Sequence, residues 1–229
     1  MTMHTHVTFS RQVVAETVGT ALLLAVVVGS GIMGERLAGG NIAIALLANA
    51  LATGAGLVAL ILTFGSISGC HLNPLVTIAM ATQGAMAWRR VPGYVLAQCF
   101  GAVAGVILAH LMFDMDLLQI STHVRRGTGQ WVSEAVATFG LLGVIFGSSR
   151  QAAPFTPFAV AAYITAAYWF TASTSFANPA VTIARSLTDT FAGIRPADIG
   201  GFIGTQVIGA GAATALFAWL CRSTATEGS

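Results

Sequence analysis

Two stretches of this chain are near copies of each other, Asn73-Pro74-Leu75-Val76-Thr77-Ile78-Ala79 and Asn178-Pro179-Ala180-Val181-Thr182-Ile183-Ala184, differing only at the third position. Asn followed by Pro is a compact helix start. The Asn side-chain oxygen accepts from an unpaired N–H of the first turn, and Pro at the first helical position gives up a donor that would be orphaned anyway. Each copy sits in a run without Lys, Arg, Asp or Glu, residues 37–88 and 151–184. A bilayer core of about 30 Å is crossed by about 20 helical residues. The first run is too long for one span, and the second holds one span and a remainder. In both, the remainder contains the Asn-Pro helix, at a depth where unpaired backbone is tolerated only if it is buried in protein or lines a wet cavity. The boxes are therefore expected as re-entrant half-helices.

Charge supports the membrane reading. Only 8% of residues are charged and 55% are hydrophobic, whereas a soluble domain carries about 25% charged residues, so a water-facing surface cannot be covered. The 26 glycines suit membrane helices that pack through small side chains. A formal charge of +2 gives no reason to expect nucleic acid, and Cys70, Cys99 and Cys221 show no paired spacing, so neither a disulfide framework nor a metal site is indicated. No cofactor is expected, and no nucleophile–base pair suggests an enzyme. The first apolar run begins after Arg11, is span-length and carries Glu16, unlike a cleaved signal peptide.

In order, residues 1–9 read as a polar tail with His4 and His6, and residues 10–113 as a first repeat. That repeat holds spans at about 11–33, 42–64 and 92–113, with a half-helix at 73–83; Glu35 to Asn41 reads as a loop. Residues 114–128 form the most polar connector, with Asp114, Asp116, Arg125 and Arg126. A second repeat, 129–221, holds spans at about 131–148, 158–172 and 199–221 with a half-helix at 178–187, before a tail at 222–229. Each half runs as a Glu-bearing span, a second span, an Asn-Pro half-helix and a third span. Three crossings per half force the second to enter upside down, an inverted repeat. The fold class is thus all-α, six transmembrane helices plus two half-helices whose Asn ends meet near the midplane. Five Arg fall on each side of such a chain, so the positive-inside rule gives no orientation.

Two positive helix ends aimed at one point oppose cations. With each Asn oxygen capping its own helix, Asn73 and Asn178 turn N–H donors to the lumen. A water there accepts from both and donates only outward, which breaks a proton-hopping chain.

The sequence resembles the aquaporins, of the major intrinsic protein family, through Ala15-Glu16-Thr17-Val18-Gly19-Thr20, Ser68-Gly69-Cys70-His71-Leu72-Asn73-Pro74, Glu134 and Asn178-Pro179-Ala180. The resemblance spans nearly the whole chain. It implies a pore in each subunit of a homotetramer, in a bacterial inner membrane with cytoplasmic termini. It also implies a midplane of Asn73, Asn178, Leu75 and Ala180, with Leu75 in place of the usual Ala. The family's selectivity Arg follows Asn-Pro-Ala, and here that position is Val181. Family spacing puts the rest of the ring at Thr53, Ala166 and Ser175, all small, so the ring is expected to be wide. The implied function is a passive channel for small uncharged solutes such as glycerol, urea and undissociated metalloid acids like arsenous acid, with water. A water-selective channel and an ion-coupled secondary transporter are the alternatives; the latter needs a titratable midplane group, where this chain has Asn.

Four more residues need weighing. Arg185, four after Val181 on the same helix face, is either a vestibule charge or an interfacial Arg paired with Asp189. Glu16 and Glu134 are either proton-coupling groups or buried acceptors for the re-entrant loops, and their equivalent positions favour the latter. His71 lines the inner half of the pore by resemblance. His110 and His123 read as a span-end and a loop residue.

Overall fold

The computed structural model describes residues 7–151 and 155–222; of the expected tails, residues 1–6, with His4 and His6, and 223–229 lie outside them, while Phe9, expected in the first tail, already opens a helix. Among the described residues eight α-helices form: α1 (Phe9–Leu37), α2 (Ile42–Ser68), α3 (Pro74–Thr82), α4 (Val91–Met112), α5 (Thr128–Ser148), α6 (Thr156–Phe170), α7 (Pro179–Ala184) and α8 (Ile199–Leu220). A 3₁₀ turn, Arg185–Leu187, prolongs α7. Helices α1, α2, α4, α5 and α8 are long and apolar enough to span a bilayer. The sixth crossing, α6, has 15 residues, about 22 Å of helix.

Two helices outrun their expected ends. Glu35 and Arg36 belong to α1 rather than to a loop, because the first residues taking left-handed backbone are Gly39 and Gly40 (φ 56° and 85°). Helix α2 likewise runs through Gly65 to Ser68 and stops at Gly69, whose φ of 87° only glycine adopts cheaply. A glycine ends a helix where the chain needs that conformation, not wherever it occurs.

Helices α1, α2 and α4 pack together, as do α5, α6 and α8, and α2 meets α6 across the halves. The tightest seams are backbone to backbone. A Cβ on Gly101 would stand 2.3 Å from the Thr17 carbonyl oxygen, and one on Gly209 would stand 2.2 Å from that of Ala135. Thr17 and Ala135 each follow the buried Glu of their half, so the same crossing is built twice. Leu24, Val28, Ala102 and Val106 fill the first seam, while Leu142 and Ala213 help fill the second half.

Candidate functional site

The half-helices meet tip to tip. Asn73 and Asn178 cap α3 and α7: Asn73 Oδ1 accepts from Leu75 N–H at 2.9 Å, and Asn178 Oδ1 accepts from Ala180 and Val181 N–H at 3.0 and 3.3 Å. Their amide nitrogens then cross over. Asn73 Nδ2 donates to the Ala177 carbonyl at 2.8 Å and Asn178 Nδ2 to the Leu72 carbonyl at 2.7 Å. Asn73 and Asn178 were expected to turn N–H donors to the lumen; one hydrogen of each amide instead ties the halves together, leaving one for the lumen.

The loops leading into the caps are strained in the same way. Gly69, Cys70 and Leu72 have positive φ in the first half, and Thr174, Ser175 and Ala177 have it in the second. Gly69 takes this conformation cheaply, but the five others cost on the order of 1–3 kcal/mol each and persist only where surroundings hold them. The holders are the buried acids. Glu16 accepts from His71 N–H (2.9 Å), Leu72 N–H (2.8 Å), Ser68 Oγ (2.6 Å) and Gln98 Nε2 (2.8 Å). Glu134 accepts from Phe176 and Ala177 N–H, both at 2.9 Å, and from Gln206 Nε2 at 2.6 Å. Both glutamines also donate to the helix threonines, Gln98 to Thr77 and Gln206 to Thr182, each at 2.9 Å. Every oxygen of the two carboxylates is therefore occupied by a donor, which supports the structural role over proton coupling.

A cavity of about 260 Å³ threads this centre. One end is walled by Met80, Ser149 and Thr156, the middle by His71, Asn73 and Asn178, and the other end by Thr53, Tyr168, Ser175, Phe176, Val181 and Arg185. On each half-helix the lumen stripe falls at i, i+3, i+7: Asn73, Val76, Met80 and Asn178, Val181, Arg185. Leu75 and Ala180, expected at the midplane, lie off that stripe. Leu75 is two residues, hence about 200°, beyond its Asn and packs with Leu142, Ala210 and Ala213; Ala180 is 1% exposed in the central core. The Leu75 variation thus shapes packing rather than the lumen wall.

The expected outer ring is also corrected. Thr53, Ser175 and Val181 line the cavity, but Ala166 is exposed on the outer face of α6. Two residues on, Tyr168 turns inward, and its hydroxyl pairs with Thr53 Oγ1 at 3.2 Å. Phe176 and Arg185 complete the wall, so this end is not made of small residues alone. Arg185 is not paired with Asp189, whose carboxylate takes Thr122 N–H and Oγ1 instead. Arg185 is buried, its Nε donates to the Ala192 carbonyl, and its guanidinium lies over the Phe176 ring.

Arg125, placed by sequence in a connector, is the residue most clearly missed. It is buried, and its Nε, Nη1 and Nη2 donate to the carbonyls of Gly193, Ser173 and Phe191. Its guanidinium is 5.1 Å from the Phe176 ring centre, so two arginines share that ring. Burial pulls Arg125 down to about 10, against the attraction of Glu134. His123 beside it is lowered by burial and then by Arg125 and Arg185. The connector also pairs with the turn after α7, Gln119 and Ser121 N–H donating to Leu187 and Ser186 carbonyls. His110, expected at a span end, is fully buried there and bonds Thr188 Oγ1 and the Leu117 carbonyl.

His71 Nδ1 lies 3.1 Å from Thr77 Oγ1, and its ring packs against Tyr94. Among the described residues no group of three or more His, Cys, Asp or Glu is placed to hold a metal.

Comparison with known proteins agrees with this architecture. The family model described as Major intrinsic protein matches residues 3–161. The chain is 53% identical over 213 residues to the aquaglyceroporin AqpS of Rhizobium meliloti (strain 1021), covering 93% of this chain and 91% of that one. It is 33% identical over 161 residues to Aquaporin Z of Rhodopseudomonas palustris (strain ATCC BAA-98 / CGA009), covering 64% and 66%. Among solved structures, the X-ray structure of the aquaglyceroporin from Plasmodium falciparum matches with a TM-score of 0.68 over 93% of this chain and 95% of that one, and at 20% identity the likeness is one of fold. This multi-pass membrane protein belongs to the major intrinsic protein family.

Proposed function

We propose that the protein is a passive channel for water and small uncharged solutes, glycerol, urea and undissociated metalloid acids among them, that rejects protons and ions. The observation that carries this reading is the single cavity passing both capped helix tips, with neutral Asn73 and Asn178 at its middle. A substrate there gives up part of its hydration and recovers it from one amide hydrogen of each Asn. The two helix N-termini oppose a cation at the same point. The amides at the two helix tips are neutral, and the titratable side chains beside them among the described lining residues are engaged by the fold, His71 with Thr77 Oγ1 and the Cys70 thiol donating to the Leu60 carbonyl, rather than free for the proton exchange a coupled transporter would need. The relative named an aquaglyceroporin supports glycerol as a solute. Assembly as a homotetramer in a bacterial inner membrane, with cytoplasmic termini, belongs to the same proposal.

A water-selective channel is the second reading. It is favoured by Tyr168 and Phe176 at the outer end, where small residues were expected. Stopped-flow shrinkage of proteoliposomes separates the two. Glycerol and urea flux without any proton or sodium gradient is the expected result, and water flux without either solute establishes the second reading.

A further inference from the structure

The outer end of the lumen carries more hydrogen-bonding capacity than the fold uses. Arg125 spends all three guanidinium nitrogens on carbonyls. Arg185, only 2% exposed, spends Nε on Ala192, and among the described residues no acceptor meets its two terminal nitrogens. Ser175, 4% exposed, has a buried hydroxyl without a partner and lines the same cavity. The Thr53 and Tyr168 hydroxyls satisfy each other once, leaving one O–H between them. A buried polar group left unpaired costs about 1–3 kcal/mol, which applies to the Ser175 hydroxyl, and the Arg185 terminal nitrogens beside it on the lumen wall likewise suit a guest that accepts. Val181 gives the same wall an apolar side.

We propose that Arg185, standing in from one turn away for the guanidinium absent at Val181, is the specificity-determining residue at this end of the lumen, and that with Ser175 and the Thr53–Tyr168 pair it receives compact neutral molecules bearing acceptor oxygens. The idea rests on the channel reading above. Val181 occupies the lumen position one turn nearer the midplane, and Arg185 supplies a guanidinium from the next turn of the same stripe. The Phe176 ring, with Arg125 near it, fixes that guanidinium. With no carboxylate in contact, its charge faces the lumen and repels cations. A polyol or urea recovers there the hydrogen bonds it sheds on entry, whereas water, being small, keeps more of its own.

Purified full-length chain in proteoliposomes tests this, with water, glycerol and urea permeability read by stopped-flow and proton leak by a trapped pH dye. Arg185→Met copies Met80, the matching lumen residue of the first half. It is expected to raise proton leak about tenfold and to lower the glycerol-to-water permeability ratio about fivefold, water flux being kept. Arg185→Lys keeps the charge and loses the fork, so leak stays low while the ratio falls. Ser175→Ala removes a hydroxyl with no protein partner; melting is expected unchanged and the ratio to fall about twofold. An unchanged ratio and leak in R185M overturns the proposal. If R185M loses all fluxes together with thermal stability, S175A decides: a lowered ratio supports the proposal, and an unchanged one overturns it. A wild-type chain passing water but neither glycerol nor urea sinks the solute reading alone, since the R185M proton leak still reads the guanidinium's part.

Discussion

At the scale of single residues, the two buried glutamates illustrate how a charge is used for shape. Glu16 holds two backbone N–H groups in a left-handed loop that no side chain there would choose, and Glu134 does the same. Replacing either with Gln turns one acceptor into a donor facing donors. Glu16→Gln and Glu134→Gln are each expected to destabilise the protein by about 3 kcal/mol. Thermal melting in detergent, monitored by tryptophan fluorescence, measures this. A variant that melts like the parent removes the clamp role, and one that melts like it but loses a proton-gradient dependence shown by the parent restores the coupling role. Sequence placed both acids at matching positions; it could not show their glutamine partners. Gln98 follows Asn73 by 25 residues and Gln206 follows Asn178 by 28, and that offset hides the symmetry from simple alignment of the boxes. Arg125 was less legible still, because its partners come from loops 48 to 68 residues away.

At the scale of elements, span positions were readable because charge-free runs of fixed length leave few choices. Side-chain direction was not. A two-residue error on α6 exchanged Tyr168 for Ala166, since a helix turns 100° per residue and two steps carry a side chain to the far face. The i, i+3, i+7 stripe of the half-helices did hold the information, and it places Arg185 on the lumen side without coordinates. Helix crossings offer a sharper test. Gly209→Ala drives a methyl against the Ala135 carbonyl, whereas a Cβ at Gly204 on the same helix meets nothing within 4 Å. Gly209→Ala is expected to cost about 1–3 kcal/mol through overpacking, and Gly204→Ala to leave stability level or raise it slightly. Paired melts of the two variants measure the contrast, and equal melting points would show the α5–α8 crossing to be loose.

At the scale of the molecule, the surface is apolar around the bundle, with Leu96, Phe100, Ile208 and Trp219 among its exposed side chains. Lipid covers such a face, and in a homotetramer sister subunits would cover part of it. The homotetramer proposal predicts four chains per particle in mild detergent, read by light scattering corrected for bound detergent; a stable monomer that still conducts would overturn it. The crossed amide bonds at the centre have a consequence for manufacture. Asn73 finds its acceptor at Ala177, 104 residues downstream. A ribosome delivering this chain into a membrane must therefore finish nearly four-fifths of it before the first box can latch. Until then the early half waits with its loop unbraced, so a message truncated before Ala177 yields inserted helices but no finished conduit.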